Sequence, residues 1–176
     1  MVLLNWLNTA PRRVLALVSA VCVAMLAFGL YLQHGVGLEP CPMCIVQRYA
    51  LILVALFAAL ASARGRKGWI TGWTVMALLA SGFGAFTAAR QSWLQWYPPE
   101  FAMCGRDFYG MIESYPMRRA IPMIFKGSGD CAAIDWTFLG GSIANWSFVS
   151  FAAFCAVLLA LLLARTRPAV ALAGAR

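Results

Sequence analysis

Four stretches of this chain are uncharged or nearly so, and each is long enough to cross a bilayer. Val14 to Leu32 holds 19 consecutive uncharged residues, close to the roughly 20 that a membrane-spanning helix needs. Trp69 to Ala89 and Asn145 to Ala164 are also free of charge. Between Ile45 and Ala63 only Gln47, Arg48, Tyr49 and Ser62 interrupt the apolar run. Backbone groups in hydrocarbon must bond within their own segment, which makes such runs helices. The expectation is one all-α integral membrane domain over residues 1–176, a four-transmembrane-helix bundle. Its spans fall at about 14–32, 45–63, 69–89 and 145–164, joined by loops at 33–44 and 90–144. Composition agrees, with 62% hydrophobic and 11% charged residues, where soluble domains run near 45–50% and about 25%.

The first run also invites comparison with a cleaved leader, because Arg12 and Arg13 precede it. It is long for a leader's apolar core, and no small-x-small cleavage site follows. The net charge of +8 does not indicate nucleic acid, because the cations sit at span ends and in one polar segment rather than on a basic face. The N-terminal segment, the turn Arg64-Gly65-Arg66-Lys67-Gly68 and the tail carry eight Lys and Arg and no acid. The loop 33–44 has no Lys or Arg, and in 90–144 acids and bases balance. The positive-inside rule therefore predicts both termini in the cytoplasm and both loops on the opposite face. In a bacterial inner membrane that face is the periplasm, which tolerates disulfides.

Both loops carry cysteine. Cys41-Pro42-Met43-Cys44 opens the second span, with Arg48 one turn beyond Cys44. Residues four apart share a helical face, and side chains lean toward the helix N-terminus, so the guanidinium is predicted to aim back at Cys44. A cation beside a thiol at a helix N-terminus favours the thiolate, the reactive form in exchange. Pro42 suits the first turn, where its missing N–H costs nothing. Cys104 and Cys131 lie in the long loop, while Cys22 and Cys155 fall in mid-span and read as small apolar residues.

Several chemistries use four cysteines in one compartment. Structural zinc favours two tight pairs, but 26 residues separate Cys104 from Cys131. Haem attachment wants a histidine after the second cysteine of the first pair, and Ile45 stands there. A Cys104–Cys131 bridge would staple a loop with little core of its own. The 41–44 pair closes too small a ring to constrain the chain, which suits it to redox exchange rather than to structure.

The motifs Pro40-Cys41-x-x-Cys44-x-x-x-Arg48, Tyr97-Pro98-x-x-Phe101-Ala102-x-Cys104, Ser128-Gly129-Asp130-Cys131 and Trp136-x-Phe138-Leu139-Gly140 resemble those of the DsbB-type disulfide bond formation family. The resemblance covers nearly the whole chain. It implies an inner-membrane protein-dithiol:quinone oxidoreductase that reoxidises a DsbA-like periplasmic thiol oxidase and passes electrons to the membrane quinone pool, as ubiquinone or menaquinone. On that resemblance Cys104 and Cys131 form the disulfide that the partner attacks, with Cys104 taking the mixed disulfide. Cys131 then attacks the Cys41–Cys44 disulfide, Cys44 stands next to the quinone, and Arg48 lies beside its oxygens.

Two positions depart from some family members. Gln47 stands where some are acidic, and Gln91, assigned to the quinone site, stands where some have histidine. Gln91 can donate a hydrogen bond but cannot be a cation or relay a proton. Two alternatives keep their place: a vitamin K epoxide reductase-like enzyme, and a non-catalytic scaffold stapled by disulfides. The first has its redox pair near the end of a later helix, whereas here the pair opens the second.

Overall fold

The computed structural model describes residues 10–98, 122, 125 and 129–166. Four helices are long and apolar enough to span: α1 (Pro11–His34), α2 (Pro42–Ala63), α3 (Lys67–Trp96) and α5 (Ile143–Thr166). A single turn, α4 (Gly129–Ala132), and a two-stranded hairpin, β1 (Thr137–Phe138) with β2 (Gly141–Ser142), precede α5. This is the four-span membrane bundle that the apolar runs predict. Only a minority of each span is buried, from 22% of the most apolar window in α1 and α5 to 39% in α2. Leu17, Leu79, Phe86 and Leu163 accordingly face outward, where lipid rather than water solvates them.

Small side chains set the packing. α2 lies against α1 and α3, and α3 against α5. Ala50, Ala58 and Ala61 of α2 and Ala77 and Ala88 of α3 are buried in one core with Leu15, Val54, Phe151 and Leu158. Of the small residues on α3, Gly84 takes the close approach: a Cβ there would overlap the ring of Phe151 on α5. Gly82 faces open space. Ser81 Oγ donates to the Phe151 carbonyl at 3.0 Å and accepts from Cys155 Sγ at 3.4 Å, so Cys155 belongs to the α3–α5 seam. Cys22 is fully buried in the core.

The helices run past the expected spans at most of their ends; α2, for one, begins at Pro42 and not at 45. α1 continues to His34, which shortens the first loop to residues 35–41. α3 continues to Trp96, so residues 90–96 are helix rather than the start of the long loop. Their polarity suggests a loop, but Gln95 finds partners beyond its own helix: Ser142 Oγ donates to Gln95 Oε1 at 2.6 Å, and Gln95 Nε2 to the Ala133 carbonyl at 3.4 Å. The last helix begins at Ile143 and not at Asn145. Its cap is Ser142, whose hydroxyl accepts the Asn145 N–H at 3.3 Å; Asn145 is the capped donor, three residues in.

The hairpin turns through Leu139 (φ 49°) and Gly140 (φ 78°), the two positive dihedrals that a tight two-residue turn requires. Trp146 Nε1 holds it to α5 by donating to the Phe138 carbonyl at 2.9 Å. Trp136 stacks on Phe138 and meets Phe28 of α1 edge-on.

The Gly84–Phe151 approach gives a direct test. Gly84→Ala should overpack the seam and cost about 1–3 kcal/mol, read as a lower thermal midpoint in detergent. Gly82→Ala should leave the midpoint unchanged or raised. Phe151→Leu should recover part of the Gly84→Ala loss, because neighbours that share one cavity do not add. Equal effects at positions 82 and 84 would contradict this packing.

Candidate redox site

The site is built at the end of the bundle where α2 begins. Cys41 has extended backbone (φ −65°, ψ 160°) and caps α2, its sulfur accepting the Cys44 N–H at 3.3 Å. Pro42 occupies the first helical position, as its spacing predicts. One turn of helix brings the Cys44 sulfur to 2.7 Å from that of Cys41.

Gln91 reaches across from α3. Its Nε2 donates to both sulfurs, at 3.3 Å each, and its Oε1 accepts from Gln47 Nε2 at 2.6 Å. Gln47 and Gln91 are both buried, so this bridge has no competing water. The amide that the resemblance assigns to the quinone site therefore lies on the thiol pair itself. Its two N–H donors favour electron density on sulfur without adding a charge.

Cys131 arrives from the far side of the sequence. The turn α4 packs against α3 and α2, and the Cys131 side chain is fully buried in a small cluster with Cys41, Met43 and Leu94. Hydrogen bonding to Cys131 and Cys44, together with burial, pushes the Cys41 thiol above its ordinary range. Cys131 is thus in sulfur contact with Cys41, and three of the four loop cysteines converge. Cys104 lies outside the described residues.

Arg48 does not point at Cys44. Its guanidinium crosses to α1, where Nη1 donates to Gln33 Oε1 and Nη2 to the Gly29 carbonyl at 3.1 Å. A charged group in an apolar span takes the acceptors within reach, and two neutral oxygens on α1 supply them. The cation nonetheless shares a cavity with Cys44. That cavity, of about 730 Å³, is walled mostly by apolar side chains including Val21, Met25, Phe28, Leu51 and Ile143. Its polar wall holds Cys41, Cys44, Gln47, Arg48 and Gln91, and the hairpin residues Trp136 and Phe138 border it beside Trp146. The volume lies within the roughly 300–1,000 Å³ typical of small-molecule sites.

Sequence reasoning missed Gln33, Gly29 and Phe28, and it gave Trp136 and Phe138 only as part of a family motif, with no place beside the cavity. Gln33 carried a signal: it is a polar residue near the end of α1, opposite the one arginine of the facing span. Phe28 carried none.

A transmembrane bundle with a capped Cys-x-x-Cys, a third cysteine against it and an apolar cavity alongside finds its counterpart in one family. The model of disulfide bond formation protein DsbB matches residues 11–161. This chain belongs to the DsbB family. A disulfide bond formation protein B from an Acidovorax species is 78% identical over 160 residues, covering 91% of this chain and 92% of its own. That of Paracidovorax citrulli is 76% identical and covers 94% of each chain. A more distant relative of the same name, from an Azoarcus species, is 53% identical over 84% of this chain and 90% of its own. As a DsbB-family member the chain is a multi-pass membrane protein with a disulfide-forming redox role.

The amide bridge makes its own prediction. Gln91→Leu strands the buried Gln47 amide, which should cost about 1–3 kcal/mol. Replacing both glutamines by leucine should cost less than the sum of the single changes. Thermal unfolding of the four proteins measures this, and strict additivity would contradict a shared bond.

Proposed function

We propose that this chain reoxidises a DsbA-like periplasmic dithiol oxidase and passes the electron pair through two cysteine pairs to a membrane quinone. The observation that supports this most is the contact of Cys131 with Cys41 at the edge of a cavity that also holds Cys44 and Arg48. The reading places the protein in the bacterial inner membrane with both termini cytoplasmic, on the strength of eight cations at one end of the spans.

The reduced partner attacks the Cys104–Cys131 disulfide and takes Cys104 into a mixed disulfide, which leaves Cys131 as thiolate. Cys131 then attacks its neighbour Cys41. The new S–S bond joins residues 41 and 131, the Cys41–Cys44 bond breaks, and the electron pair departs on Cys44. The hydrogen bond between Cys131 and Cys41 supports this direction of attack. Gln91 donates to Cys44 and steadies the charge that arrives there.

The cavity suits a quinone. It is apolar enough for a prenylated ring, and its polar wall offers N–H donors. Arg48 has five donors, and its bonds to Gln33 and Gly29 leave others for an acceptor oxygen. Bound there, the quinone supplies a two-electron, two-proton sink. Arg48, fixed by α1, presents positive charge to the side of the cavity where negative charge develops, in a medium that strengthens the interaction.

The test is quinone reduction by the purified protein supplied with a reduced periplasmic dithiol carrier. Wild type should consume quinone, Cys44→Ser should lose all turnover, and Cys22→Ser and Cys155→Ala should retain it. Arg48→Met should lower turnover by about 10²–10³-fold, the usual loss on removing one donor that stabilises developing charge. Turnover by Cys44→Ser would overturn the proposal. Oxidised loop cysteines with no quinone reduction in wild type would favour the stapled scaffold.

A further inference from the structure

The end of the bundle opposite the cysteines holds a second cavity, of about 810 Å³, where α1, α2, α3 and α5 meet. Arg12, Arg13, Lys67 and Arg165 line it, and no Asp or Glu does. Two of the four cations are already engaged. Arg12 donates to the Ser62 and Ala63 carbonyls at the C-terminus of α2, at 2.7 and 3.4 Å, and Arg165 donates to the Lys67 carbonyl at 3.5 Å. Those bonds pull four helix ends together and leave the charges of Arg13 and Lys67 without an acidic partner among the described residues. The N-termini of α1 and α3 open at the same place. Neither has a side-chain cap, and neither has an acid in its first turn. Unsatisfied N–H groups and the positive ends of two helix dipoles add to the field of the four side chains.

Such concentrated positive potential beside a bilayer calls for an anion. We infer that this cavity binds the phosphodiester headgroup of an anionic phospholipid. The phosphate accepts from Arg13, Lys67 and the open N–H groups at the start of α3; at the start of α1, Pro11 has no N–H and the Arg13 N–H already bonds the Ala10 carbonyl at 3.0 Å. The acyl chains lie along the outward apolar faces of α1 and α5, where Leu17 and Leu163 are exposed. A free phosphate has the same acceptors but no chains to lay on those faces, so the site selects the lipid. Basic pockets between spans recognise anionic headgroups by this chemistry.

Native mass spectrometry of the full-length protein in mild detergent tests this, with phosphatidylglycerol, phosphatidylcholine and inorganic phosphate titrated separately. Wild type should retain phosphatidylglycerol in preference to phosphatidylcholine. The double change Arg13→Gln with Lys67→Gln should weaken that binding by about tenfold or more, given roughly 1 kcal/mol per surface cation. Arg12 and Arg165 are left in place so that the helix ends stay tied, and unchanged circular dichroism verifies the fold. Arg90→Gln, which removes a charge near the other end of α3, should leave binding at the wild-type level. Equal retention of the two lipids, or an equal loss from Arg90→Gln and the double change, would overturn the assignment. Inorganic phosphate displacing phosphatidylglycerol at comparable concentration would also overturn it, showing that a free anion suffices.

Discussion

Gln91 spends both of its amide hydrogens on sulfur and its oxygen on Gln47, in a place that water does not reach. That arrangement fixes three things at once. It ties the start of α2 to the end of α3, it orients the sulfurs of Cys41 and Cys44, and it places N–H donors on sulfur without adding a charge. A buried amide in an apolar bundle is tolerable only when all of its bonds are made. Each neighbouring feature meets that demand. α3 must run past residue 90 to deliver the amide, and Gln47 must sit one turn beyond Met43 to receive it.

The position of the cation follows the same logic. Arg48 is held by Gln33 and Gly29 on α1, so charge and thiol stand on different walls of one cavity rather than in contact. A guanidinium hydrogen-bonded to Cys44 would hold the sulfur in an ion pair. Held on α1, it is free to act on charge that develops elsewhere in the cavity. The opposite end of the bundle shows another use of cations, where Arg12 donates to the carbonyls that end α2 and Arg165 ties the end of α5 to the start of α3. The two ends of this small membrane protein thus differ in kind, one a cluster of thiols beside an apolar cavity, the other a cluster of cations at the helix ends.

Much of this was legible in the residues because hydrocarbon permits few structures. Uncharged runs near 20 residues can hardly be anything but spans, and the pairing of Cys44 with Arg48 on one face follows from helical spacing. The partner of Arg48 was not legible. Gln33 is 15 residues away across a loop, and only the register of α1 against α2 brings it near. Gln91 was named for its place in a family pattern, but its bonds to the sulfurs depend on how far α3 continues. There the sequence misleads, since Arg90, Gln91, Ser92 and Gln95 look like a loop until the tertiary partners of Gln91 and Gln95 are known. Ser142 caps α5 for a related reason: the hairpin before that helix fixes where it starts.

The central claim is that Cys131 stands ready to exchange with Cys41, and trapping that bond tests it most directly. With Cys44→Ser and Cys104→Ser combined, each of these two cysteines loses its assigned partner. Mild oxidation followed by peptide mapping under non-reducing conditions should then yield one cross-linked species joining the peptides that contain Cys41 and Cys131. Free thiols at both positions, or Cys131 bridged to Cys22 or Cys155, would contradict the account.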